Sequence, residues 1–354
     1  MVVEVQIFAL FNVPDWCTIS IDSLLINLPE GESLMNYTRS TAKQWAQENV
    51  KGMFNCPVTP MNPDFTFNEA GIRSNIEAFI EMGVDGLVVG GFIAECWNVT
   101  LSDWYRYHEI VADAVKGRIG LWSIILDPSV HQCVEKMNRL EKLGYDGAEV
   151  MNPSVQLRTD NEVYNWFKYL TDNSNLAVAL YRTPVSGKVL GWDLMKRLAD
   201  IDTVVGTKQG VMNRAESLKL RSLMRDDFIV SDPFEGNFAD DLRRGGQVVF
   251  GELSYIIYGK KRHIINEYRA LSAQGKWDEA FKKSEELAPV RELYNDVFIW
   301  EVINTFTYAS ALASMKAWFE AIGLEAGPII PPVEQCKPEL RERIVSSLKT
   351  LGVS

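Results

Sequence analysis

The chain has 354 residues, 47% apolar and 23% charged, with a net charge of −11 at neutral pH. That composition supplies a core of globular size and argues against disorder. An acidic balance with no basic stripe argues against nucleic acid and anionic membrane as partners, and no run reaches the roughly 18 uninterrupted apolar residues of a membrane span.

The N-terminus, "MVVEVQIFALFNVPDW", is apolar but carries Glu4 where a signal peptide wants positive charge. Residues 1–50 read as a partly irregular extension, and 1–34 as an upstream tail dispensable for folding. From Gly52 the pattern alternates. A strand-like run over 53–60 leads to the helix-like "NEAGIRSNIEAFIEMG", and "GLVVGG" (86–91) leads to a helix from Ser102. That helix places Trp104, His108, Val111, Ala112 and Val115 on one stripe. Strand signals at 119–126, 147–153 and 176–184 follow, each with a helix signal behind it. "VVGTKQG" (204–210), "FIVSDP" (228–233) and "VVFGELSYI" (248–256) complete eight strand–helix units.

Strands alternating with helices imply a parallel sheet. Eight such units over 51–275 suit an α/β fold, a (β/α)8 TIM barrel. An open doubly wound sheet is the competitor, but no G-x-G-x-x-G follows the first strand and no Walker loop occurs. Residues 276–354 read as a C-terminal helical appendage, with "VINTFTYASALASMKAWFEAIG" as one of its helices.

Cys17, Cys56, Cys96, Cys133 and Cys336 are odd in number and lack a CxxC pair, which suits free thiols in a reducing cytoplasm. His108, His131 and His263 form no metal spacing, so no metal site is expected.

In a barrel of this kind the site lies at the C-terminal ends of the strands. Thr59, Glu95, Tyr181 and Lys208 fall there. A free lysine amine has a pKa of about 10.4 and is almost all ammonium at neutral pH. Burial disfavours the charged form, which suits the amine to attack a carbonyl and form an imine. The bland alternative is a lysine that snorkels to solvent or pairs with a carboxylate. Tyr181 ends the adjacent strand, where a phenol can relay protons to and from the imine. It also reads as an ordinary core tyrosine.

Four segments, in this order, carry a resemblance: "PVTP" (57–60), "GGFIAE" (90–95), "LYRTP" (180–184) and "VVGTKQG" (204–210). Together they resemble the dihydrodipicolinate synthase / N-acetylneuraminate lyase family of class I, pyruvate-dependent aldolases. The resemblance implies Lys208 as the imine-forming residue and Tyr181 as proton relay. It implies that the Phe92–Ile93 backbone holds the carboxylate of a 2-oxo acid, and that the enzyme is a homo-oligomer, a tetramer or dimer. No cofactor beyond the lysine imine is implied.

The departures from the family pattern are specific. Its paired threonines are Phe92 and Ile93 here, its next glycine is Ala94, and the second residue of its Y-N-x-P turn is Arg182. Pro153-Ser154-Val155 stands where the lysine-biosynthesis synthase has tyrosines, and that synthase's arginine falls near Ser186 and Gly187, with Lys188 close by. The loop "AECWNVT" looks more like the hydratase-aldolases of the superfamily. Phe92, Ile93 and Trp97 would then wall an apolar pocket for an aromatic aldehyde, or else pack against a neighbouring subunit. Gly251, Glu252 and Ser254 fall where the family closes its pocket floor. Glu252, in an otherwise apolar strand, needs a partner, and Lys208 is a candidate. Asp232 and Glu235 read as caps of the following helix rather than substrate contacts.

The expected function is therefore a Schiff-base lyase joining or cleaving pyruvate, or a similar 2-oxo acid, and an apolar or aromatic aldehyde. Dehydration of a hydroxylated 2-oxo acid through the same imine, and a barrel that binds without chemistry, are the alternatives.

Overall fold

Glycines open the first four strands, and at Gly86, Gly120 and Gly147 the reason is the ring packing of the barrel floor, whereas at Gly52 it is the close approach of Asp85 and Arg269. In this computed structural model, which describes residues 35–153 and 156–354, β1 (Gly52–Asn55), β2 (Gly86–Val89), β3 (Gly120–Ile125) and β4 (Gly147–Met151) each begin on glycine. A Cβ at Gly86 would lie 2.4 Å from the Phe54 ring, and one at Gly147 would lie 2.4 Å from the Trp122 ring. The missing side chains let Phe54, Trp122 and Phe250 pack inside the cylinder, with Phe250 stacked on Phe54 and edge-on to Trp122. The expected tail over 1–34, and Ser154 and Val155, lie outside the described residues.

β5 (Ala177–Arg182), β6 (Val204–Gln209), β7 (Ile229–Ser231) and β8 (Val248–Glu252) complete one parallel sheet in the order β7-β6-β5-β4-β3-β2-β1-β8. The seam between β7 and β8 is bridged by Ser231, whose Oγ accepts the Phe250 N–H at 2.9 Å. The result is a nearly closed eight-stranded barrel with helices between its strands and further helices after it. Helix starts carry side-chain caps: Asn68, Thr100 and Ser129 each accept a first-turn N–H, and Thr159 forms a capping box with Glu162.

Two apolar layers result. The interior layer includes Phe54, Val88, Trp122, Ile124, Ala179 and Phe250, and the helix Ala42–Asn49 packs against it. Beside that helix, the Tyr37 hydroxyl donates to the Asp146 carbonyl and accepts the Ala177 N–H, both at 2.7 Å. The outer layer lies between strands and helices and continues into the C-terminal helices.

Two expectations are corrected. Strand eight ends at Glu252, and Ser254–Ile257 is helical. The Glu252 carboxylate accepts the Ser254 N–H at 2.6 Å and so starts the turn. Residues 302–323 are not one helix. A helix over Trp300–Thr305 stops at Phe306, which has φ +53, and a second runs over Ala309–Ala321. Thr305 and Thr307 hydroxyls take up backbone groups at the break, Thr305 donating to the Glu301 carbonyl and Thr307 accepting the Ala309 N–H. Among the described residues no helix is long and apolar enough to cross a membrane.

Candidate active site

Tyr181 and Lys208 are directly paired across the β5–β6 ladder. Adjacent strands lie about 4.8 Å apart, and both side chains enter one cavity at the barrel mouth. The Lys208 ammonium donates to the Gly251 carbonyl at 2.7 Å and lies 4.7 Å over the Tyr181 ring. It is 7% exposed, so it does not snorkel.

The carboxylate beside Lys208 is Glu149, not Glu252. Glu149 projects from β4, is fully buried, and holds Oε1 at 3.7 Å from the lysine nitrogen. Glu252 is engaged by the N–H and hydroxyl of Ser254. Sequence reasoning missed Glu149, although an acidic residue in "GAEVMNP" is as anomalous in an apolar strand as Glu252 is in its own.

The pair changes the charge expected at the lysine. Burial pulls the ammonium pKa down, but the neighbouring groups, Glu149 foremost, outweigh it, so the amine is held above its ordinary value. An amine freed by burial alone is thus corrected to an ammonium with a counterion. Burial raises the Glu149 carboxyl to about 7 against the opposing pull of Lys208.

Gly251 sits where these groups meet. A Cβ there would stand 2.8 Å from the Lys208 nitrogen and 3.0 Å from Glu149 Oε2, at a φ of +69 that favours glycine. Its carbonyl also accepts the Cys56 thiol at 3.0 Å.

Tyr308 completes the wall from the C-terminal segment. Its hydroxyl lies 3.0 Å from that of Tyr181, and its ring stacks on Phe92 with centroids 5.4 Å apart. Burial, reinforced by Tyr308 and Glu149, holds Tyr181 well above the usual phenol value, so it stays protonated at neutral pH. The break after Thr305 brings Tyr308 here, and nothing in its local pattern marks it.

Of the other expected residues, Phe92, Ile93 and Gly251 line this cavity. Thr59 does not: its hydroxyl donates to the Ala94 carbonyl at 2.8 Å and pins the loop after β2. Ser254 lies behind Glu252 and outside the cavity lining. Trp97 is turned outward, 40% exposed, and its indole N–H donates to the Phe92 carbonyl. Glu95 also points away, paired with Lys316 at 2.5 Å and accepting the Ile330 N–H. Asp232 accepts the Phe234 N–H and pairs with Arg214, and Glu235 is held by Arg291 and Tyr268. Arg182 is buried against Gln209, Glu216 and the Trp192 ring, and Lys188 pairs with Asp160.

The cavity is apolar around its polar centre, with Phe92, Ile93, Met212, Phe234, Phe298 and Ile299 in its wall. Among the described residues lining it, Lys208 is the one cation. The loop from Gly91 closes with turn bonds from Glu95 N to the Phe92 carbonyl and from Cys96 N to the Gly91 carbonyl, which do not use the Phe92 and Ile93 N–H groups. Among the described residues no cluster of three or more His, Cys, Asp or Glu is placed to hold a metal ion.

Comparison with known proteins bears on the same span. Residues 49–351 match the model of the dihydrodipicolinate synthetase family. The chain is 25% identical over 297 residues to 4-hydroxy-tetrahydrodipicolinate synthase of Methanosphaera stadtmanae, covering 81% of this chain and 93% of that one. Dihydrodipicolinate synthase from Thermotoga maritima matches with a TM-score of 0.74 at 20% identity, covering 86% of this chain and 100% of that one. A prophage protein of the dihydrodipicolinic acid synthase family from E. coli K12, solved in complex with pyruvate, matches at 0.74 and 18%, covering 86% and 99%. At those identities the two solved structures speak for the shared fold alone.

Proposed function

The chain belongs to the dihydrodipicolinate synthetase family, a family of carbon–carbon lyases, and from that premise we propose that Lys208 forms an imine with pyruvate or a similar 2-oxo acid. The enzyme then makes or breaks a C–C bond to an apolar or aromatic aldehyde. The observation that carries this reading is the register pairing of Tyr181 with Lys208, with the lysine nitrogen 4.7 Å over the phenol ring in the cavity at the barrel mouth.

In the synthetic direction, the neutral amine attacks the 2-oxo carbon and the carbonyl oxygen takes up a proton. Loss of water leaves an iminium. This cation is an electron sink, so a proton leaves the adjacent carbon and an enamine forms. The enamine carbon attacks the aldehyde, whose oxygen is protonated, and water then releases the product and the amine. Tyr181 and Tyr308, 3.0 Å apart, are suited to carry protons between these oxygens. The N–H groups of Phe92 and Ile93 are suited to the 2-oxo acid carboxylate.

The aldehyde side follows from the wall. With Lys208 as the lining cation and Phe92, Phe234 and Phe298 around it, a second carboxylate or a polyol finds few partners, whereas a flat apolar group is desolvated favourably. A homo-oligomer, tetramer or dimer, is part of the same reading and is checked by light scattering.

The test is incubation with pyruvate, reduction with borohydride, and mass mapping. An adduct on Lys208 supports the reading. Its absence with every 2-oxo acid tried sinks it.

A further inference from the structure

We infer that Glu149 is a catalytic residue: it takes the proton from the Lys208 ammonium and later delivers it to the departing hydroxyl of the carbinolamine. The inference rests on the imine chemistry proposed above.

Glu149 lies in the interior of β4, level with Ile124 on β3 and Ala179 on β5. It is 0% exposed, and neither carboxylate oxygen has a hydrogen-bond partner. Buried carboxylates that serve the fold of this chain are held differently. Glu235 takes two bonds from Arg291 at 2.9 Å and one from Tyr268 at 2.7 Å. Glu95 lies 2.5 Å from Lys316 and takes the Ile330 N–H. Desolvating a carboxylate without such bonds costs stability. Glu149 instead keeps its lone pairs free, 3.7 Å from the one nitrogen that must lose a proton before it can attack. The absent side chain of Gly251 clears the space in which the two groups meet.

The groups around Glu149 are Lys208 on β6, Cys56 after β1, Tyr181 on β5 and Tyr308 from the C-terminal segment, and Glu252 on β8 acts on Lys208 from the other side of the site. Cys56 is pushed up to about 12 and both phenols are raised, in each case foremost by burial, so all three stay protonated near neutrality. Burial also raises Glu252, but its carboxylate is occupied by Ser254. Glu149 is left as the carboxylate free to exchange a proton with Lys208.

The protons balance. The ammonium gives one proton to Glu149, and the neutral amine bonds to the carbonyl carbon. The nitrogen's second proton reaches the former carbonyl oxygen through the phenols. The Glu149 carboxyl then protonates that hydroxyl, the C–O bond breaks, water leaves, and the nitrogen lone pair forms the C=N bond. Ammonium plus ketone has become iminium plus water, and Glu149 is again a carboxylate beside a cation.

The experiment is rapid quench with borohydride after mixing with pyruvate, from about pH 5.5 to 9, in the wild type, Glu149→Gln and Glu149→Asp. The expected result is that Glu149→Gln forms the Lys208 adduct about 100-fold more slowly and lacks the pH arm near neutrality, while its final occupancy matches the wild type. Glu149→Asp keeps the arm with a loss of about 10-fold, and it carries the test alone if the glutamine variant does not fold. A Glu149→Gln rate equal to the wild type, or a slower rate with the wild-type pH profile, overturns the role of Glu149 and leaves the imine standing. Loss of the arm in folded Glu149→Asp does the same. No adduct on Lys208 in the wild type overturns both.

Discussion

The hydroxyls of Tyr181 and Tyr308 lie 3.0 Å apart although 127 positions separate them in the chain. Where the family pattern has paired threonines this chain has Phe92 and Ile93. The ring of Phe92 is a platform on which Tyr308 stacks, and the C-terminal segment thereby brings a hydroxyl to Tyr181.

If the two phenols form one relay, their losses are not additive. Tyr308→Phe is expected to lower kcat about 10- to 100-fold and Tyr181→Phe by more, with the double variant no slower than Tyr181→Phe. Steady-state kcat, with adduct occupancy measured beside it, checks this. Occupancy should fall far less than turnover. Independent, multiplying losses would place Tyr308 outside the relay.

Gly251→Ala is expected to remove imine formation and destabilise the fold. The new methyl group would lie 2.8 Å from the lysine nitrogen and 3.0 Å from Glu149, on a backbone with φ +69. The left-handed conformation alone costs about 1–2 kcal/mol for a residue with a Cβ. Urea unfolding and borohydride trapping measure the two effects. A variant as stable as the wild type and trapping normally would show that the crowding is relieved elsewhere.

Lys316→Met tests the tie between the loop after β2 and the C-terminal helices. It leaves Glu95, 1% exposed, without its cation. Breaking a buried pair on one side costs about 3–5 kcal/mol. The expected outcome is a large drop in the unfolding free energy, with Lys208 still trapped by borohydride in the molecules that remain folded.

His108 makes stability depend on pH. Its Nδ1 lies 2.7 Å from the Trp104 carbonyl, which assigns the proton to that nitrogen, so Nε2 accepts the Ser123 hydroxyl at 2.7 Å. Burial lowers its pKa from 6.5 to about 3. The unfolded chain therefore binds a proton that the folded one refuses. The stability is fully present above the unfolded pKa and is lost as pH falls toward the folded one, by about 1.4 kcal/mol per pH unit. Urea unfolding of the wild type and His108→Gln between pH 7 and 5 should show a difference that shrinks by about 2 kcal/mol. A constant difference would mean that the ring is protonated in the fold.

Much of the barrel was legible because its signals are local. An apolar run between a turn and a capped helix is the same signal at Gly86 as at Gly147, and strand register then makes Tyr181 and Lys208 neighbours without any knowledge of the rest of the fold. The misplaced residues share one cause. Thr59, Ser254 and Trp97 stand near strand ends, but whether a side chain there enters the mouth depends on the turn that follows. The Glu252–Ser254 bond turns the chain into a helix, and Thr59 is drawn to Ala94.

From the sequence alone came an acidic α/β chain with eight strand–helix units, a lysine and a tyrosine side by side, and a family resemblance. Tertiary structure alone decided the charge on that lysine, the identity of its carboxylate partner and the source of the second phenol. Glu149 is two strands away from Lys208, and Tyr308 comes from beyond the barrel. Periodicity reports which face of its own element a residue takes. Which groups face one another across a closed cylinder is set by closure and shear, and the electrostatics of the site follow from those distances.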